Sequence, residues 1–112
     1  MTDFTKRERS RLRKLSMKAY ERELARELSH LETKFSEWRE ERIDSFQLSD
    51  IIHKFHDGAN RDLYRQYTIV EPYLMVAHAL VDGILSEEEI EPEILRKLNR
   101  AIEFYRLERG EG

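Results

Sequence analysis

Residues 5–42 read TKRERSRLRKLSMKAYERELARELSHLETKFSEWREER, and the fold turns on them. Neither glycine nor proline interrupts the stretch. Met17, Leu24, Leu31 and Trp38 recur every seven residues. Leu28 and Phe35 fall four beyond Leu24 and Leu31, and Glu21 and Arg42 end that second series. Apolar residues at alternating spacings of three and four draw a narrow stripe along a helix. Thr5 and Glu8 have the spacing of a capping box, which places the helix start there. The pattern therefore predicts one helix over 5–42, roughly 55 Å long at about 1.5 Å per residue. A compact domain of 112 residues is narrower than that. The helix must bend, project, or be covered by a second copy. The seam of Leu24, Leu28, Leu31, Phe35 and Trp38 is thus expected to serve the chain's own later helices and also a neighbour. A homodimer is the first expectation; a different protein partner is the alternative.

The rest of the chain reads as further helix. Asp44 and Gln47 form a second capping box. Leu48, Ile51, Ile52, Phe55, Ala59, Leu63 and Tyr67 then line one face of a helix over 45–67. Asp57-Gly58 lies inside it, and because the apolar phase survives, a kink is expected rather than a break. Pro72 suits a first helical turn. The segment 72–83 is apolar on nearly every side, which predicts the central, most buried helix. Pro92 opens a last helix, to about Glu108, with Ile94, Leu95, Leu98, Ala101, Ile102 and Tyr105 inward. Gly110 and Gly112 are expected to loosen the tail. The predicted fold is all-α, a single four-helix, bundle-like domain over 1–112 with a long N-terminal helix.

Composition narrows the function. Charged residues make up 38% and apolar ones 39%, and the periodicity of the apolar ones argues against a helix-free disordered chain. There is no cysteine, hence no disulfide, thiolate metal site or thiol nucleophile. The basic N-terminus lacks an apolar signal core, so secretion is not indicated. The longest apolar run, 72–85, is too short and interrupted to span a bilayer. A cytoplasmic protein without membrane contact is expected. No phosphate-cradling loop, nucleophile elbow or zinc-protease motif occurs, so nothing points to catalysis or to a cofactor.

Three local features remain. Arg7, Arg11, Lys14 and Lys18 share a helical face in a basic end, 1–18, whose balance is +5 in a chain of −3 overall. Such a face is a candidate anion-binding surface for nucleic acid, though no aromatic residues interleave it. His53, His56, Asp57 and Arg61 form a candidate polar site. His53 and Asp57 are spaced to hydrogen-bond, and Asp57 and Arg61 to pair, which would allow acid–base chemistry or metal binding only within a pocket. Glu27 and His30 have the spacing found in di-iron bundles, but they point off the apolar face and a second such pair is missing. Finally, Asp82 to Glu89 imitates the second half of a calcium loop. Its first half would place His78 and Leu80 at ligand positions, where calcium needs oxygen. The expected reading is a helix end at Gly83 and a new turn capped by Ser86, with Glu89 completing the box. His78 is expected in the core with its ring satisfied.

Overall fold

The computed structural model describes residues 3–110, so the outermost two positions of the basic end and Gly112 of the tail lie outside it. Helix α1 spans Lys6–Arg39 without interruption. The Thr5 hydroxyl accepts the Glu8 N–H at 3.1 Å and the Glu8 carboxylate accepts the Thr5 N–H at 2.9 Å, which closes the expected capping box. The helix stops short of Arg42 because Glu41 turns left-handed, with φ 61°. Its N–H then reaches the Trp38 carbonyl at 3.0 Å, and that of Arg42 reaches the Glu37 carbonyl at 2.9 Å. Those paired bonds are the Schellman ending, with glutamate where glycine is usual.

Helix α2, Ser45–Phe55, starts at the Asp44–Gln47 box. It passes into a π-helical segment, His56–Asn60, and on into α3, Arg61–Ile69. The expected kink at Gly58 is thus a wider turn within a continuous axis, and the helix ends two residues later than expected. The cause lies in the apolar spacing. Ile51, Phe55, Ala59, Leu63 and Tyr67 repeat every four residues, and in an ordinary helix such a row drifts by about 40° per step. A single wide turn winds the row back onto α1.

Helix α4, Pro72–Val81, ends at Gly83 in a second Schellman turn, with φ 77°, and is shorter than the expected 72–83. A 3-10 turn, Glu87–Glu89, follows from the Ser86 cap, as the sequence predicted. The expected last helix is interrupted. Helices α5, Pro92–Lys97, and α6, Asn99–Glu108, meet at Leu98, whose side chain is fully buried. No strand occurs among the described residues.

Helix α4 is central. It packs on α1 and on α6, and Met75, Val76, Ala77 and Ala79 are buried in the cluster formed with Leu12, Leu15, Ala19, Ile94, Leu98 and Ile102. The core face of α1 therefore departs from the heptad. Its expected upper member, Met17, is 56% exposed. The N-terminal half of α1 instead buries Glu8, Leu12, Leu15, Ser16 and Ala19. At 100° per residue that stripe lies roughly 130° around the helix from Leu24, Leu31 and Phe35. One helix thus serves two lobes. Its first half completes the thick lobe with α4, α5 and α6. Its second half forms, with α2, a two-helix arm.

Candidate functional site

On α2, Leu48 is the buried side chain. Leu24, Leu31 and Phe35 of the seam are half-buried, while Leu28 and Trp38 are exposed. The arm is antiparallel, and two contacts fix its register. At the tip, the Trp38 indole N–H donates to the Ser45 hydroxyl at 3.0 Å. Towards the body, Tyr20 and Tyr67 stack with centroids 4.9 Å apart, and the Tyr67 hydroxyl donates to Glu23. Burial and that bond together raise the Tyr67 phenol above its ordinary range, so it stays a donor.

Two helices cannot cover one another on both flanks. Leu28 on α1 and Ile52 on α2 lie about 40° and about 65° beyond the line of contact, both in the sense of increasing residue number. In an antiparallel pair those offsets open on the same side. Leu28 is 47% exposed, and Ile52, Met17 and Tyr64 are also exposed. The opposite flank is a groove lined by Leu31, Ile51, Phe55 and Ala59 but rimmed by Glu27, His30, Lys34 and Lys54. At the arm's tip Phe46 is 87% exposed.

The candidate anion face is divided by the chain's own acids. The Arg7 guanidinium donates twice to Glu91, at 3.0 and 2.6 Å. Lys18 reaches Glu89 at 3.5 Å, and Arg22 donates to Glu89 at 2.6 and 2.9 Å and to the Ile84 carbonyl at 2.9 Å. Arg11 lies in the field of Glu91, and Lys14 is exposed. The structure thus engages Arg7 and Lys18 internally and leaves Lys14 outward. Glu89, whose spacing suggested a calcium ligand, is an ion-pair anchor instead. The Arg22 guanidinium and the Ser86 N–H lower its carboxyl to about 2. Glu8 is buried and takes a bond of 2.7 Å from Lys97, which together with Thr5 lowers its carboxyl as well. The sequence held no sign of these anchors, because their partners lie 62 to 89 residues apart.

The candidate polar site is only partly assembled. His53 Nε2 stands 3.1 Å from Asp57, and both are exposed. Asp57 therefore pairs with His53, and the expected Asp57–Arg61 pair is not formed. His56, Asp57 and Arg61 do border one open hollow of about 350 Å³, with Tyr20, Asn60 and Tyr64. No group of three or more His, Asp or Glu among the described residues is placed to hold a metal ion. His78 is half-buried, edge-on to Tyr105 at 5.0 Å, with its Nδ1 3.4 Å from Asp82. No helix is long and apolar enough to cross a membrane among the described residues.

No protein-family model, curated protein or solved structure matches the chain.

Proposed function

We propose that this chain is a non-enzymatic helical interaction module that self-associates through the arm formed by α1 and α2. The observation that carries this reading is its extension. The radius of gyration is 17.4 Å, whereas a compact chain of this length has about 13 Å. The accessible surface is 7991 Å², against about 6,600 Å² for a monomer of this mass. The excess, roughly 1,400 Å², exceeds the ~800 Å² that each partner contributes to a standard interface. On the arm, Leu28, Ile52, Phe46 and Trp38 stand exposed. A second arm laid against the Leu28–Ile52 flank completes a four-helix bundle, the simplest arrangement that gives such a hairpin an interior.

The nucleic-acid reading has less support, since Arg7 and Lys18 already hold carboxylates of the same chain. The test is sedimentation equilibrium of the full chain from low to high micromolar concentration. A monomer–dimer equilibrium is expected. A monomer throughout that range would end the reading.

A further inference from the structure

We propose that two copies assemble side by side and antiparallel, the basic opening turns of α1 in one copy lying over the acidic arm tip of the other. This rests on the self-association proposed above and adds a direction to it.

The charge distribution along the arm carries the inference. Between residues 6 and 18 there are seven basic residues and one acidic. Arg7 and Lys18 are held by Glu91 and Glu89, and Glu8 by Lys97. Lys6, Arg9, Arg13 and Lys14 remain exposed. The other end of the rod has the opposite sign. Residues 32–50, the tip of the hairpin, carry six acidic residues against three basic. Glu37, Glu40 and Asp50 pair with Lys34, Arg42 and Lys54, and Asp44 caps α2, while Glu32 and Glu41 stand exposed. The two patches centre near residues 10 and 40, so they stand roughly 45 Å apart along the helix. That is several Debye lengths at ordinary salt, so each patch interacts only with what is brought directly beside it.

Two symmetric arrangements can lay one Leu28–Ile52 flank on another. With the two α1 helices parallel, both basic ends fall at the same end of the assembly and repel. With them antiparallel, each basic end meets the partner's acidic tip, and the two-fold symmetry provides that contact twice. The pairing of residues near 10 with residues near 40 puts the symmetry axis at the level of Ala25. That small, exposed side chain sits where two α1 helices would approach most closely. Leu28 and Ile52 both lie on the tip side of that level, and the two-fold axis carries them over the partner's α1 between its levels of about 18 and 22, next to the exposed Met17. The same register sets Lys14 of one copy beside Ser36 of the other.

The full chain tests this directly. At about 0.05 M salt, Arg13→Glu with Lys14→Glu should weaken self-association about tenfold, and Glu40→Lys with Glu41→Lys should do the same. Mixing the two reversed chains should restore a dimer, because each then meets its complement. The parent dimer should weaken by a similar factor at about 0.5 M salt. The native chain has no cysteine, so a second readout is free of background. Lys14→Cys mixed with Ser36→Cys should oxidise mainly to the heterodimer. A dimer indifferent to salt and charge reversal, or Ser36→Cys chains that link chiefly to one another, overturns the antiparallel arrangement and leaves self-association standing. A parent chain that stays monomeric overturns both.

Discussion

Glu41 is the one residue other than glycine with positive φ among the described residues, and it closes α1 in a turn that glycine adopts without strain. The left-handed conformation costs an L-residue roughly 1 kcal/mol. Glu41→Gly should therefore stabilise the chain by about that amount, raising the melting temperature by a few degrees. The reverse experiment is Gly83→Ala, where φ is 77° and open space surrounds the absent Cβ. Only backbone strain opposes that change, so it should lower stability by a similar ~1 kcal/mol. Thermal melts of the two variants decide both points, and opposite signs are expected. A second residue-scale consequence follows from Glu8, Glu89 and Glu91, whose carboxyls are held low by Lys97, Arg22 and Arg7 respectively. A carboxyl that ionises more readily folded than unfolded contributes stability above its unfolded pKa, near 4.3, and loses it as pH falls. The melting temperature should hold level from pH 7 to about 5 and then decline towards pH 2, where Glu89 itself protonates. Arg22→Ala releases Glu89, so it should lower the neutral-pH melting temperature and make the acid decline shallower. A curve merely displaced downward in parallel would show that Glu89 owes nothing to Arg22.

The elements differ in how openly the sequence declares them. Four helix starts are written in short-range chemistry: Thr5 with Glu8, Asp44 with Gln47, Pro72 and Pro92. The widened turn at His56–Asn60 was legible too, in the four-residue apolar repeat, although only a kink was expected. Its glycine is incidental. Gly58 has no positive φ, and a Cβ there meets nothing within 4 Å. Gly58→Ala should therefore keep the wide turn and stabilise the chain by up to about 1 kcal/mol. A loss of stability or of helical circular dichroism would mean that the turn needs the glycine. The interruption at Leu98 was not legible, because Lys97-Leu98-Asn99 contains neither glycine nor proline and the turn serves to seat a buried leucine. Nor was the second stripe of α1. Leu12, Leu15 and Ala19 share it with Glu8 and Ser16, so the row looks too polar for a core until Lys97 is seen to neutralise Glu8. The stronger heptad of Leu24 to Trp38 outweighed it in the sequence, yet in the fold it covers less. The candidate sites fared similarly. Lone i,i+4 pairs such as His53–Asp57 were predictable, whereas pairing across the tertiary fold redefined the basic face.

At the scale of the whole molecule, the two stripes of α1 make stability and association separable. Leu15 is buried in the thick lobe, and truncation of a buried leucine leaves a cavity worth about 2–5 kcal/mol. Leu28 and Ile52 lie on the arm's open flank, where a charge can still reach water. Leu15→Ala should therefore lower the melting temperature strongly, while any chain that remains folded still self-associates. Leu28→Glu combined with Ile52→Glu should do the converse, holding the melting temperature of the monomer within a few degrees while abolishing the dimer. The double charge acts because each glutamate would be enclosed in the assembly without a partner, and an unpaired buried charge costs several kcal/mol where an exposed one costs little. Sedimentation equilibrium and thermal melts on the same samples separate the two quantities. If Leu28→Glu with Ile52→Glu unfolds the chain, the flank belongs to its own core. If it leaves a dimer intact, the contact lies elsewhere, and the exposed Phe46 at the arm's tip becomes the next surface to change.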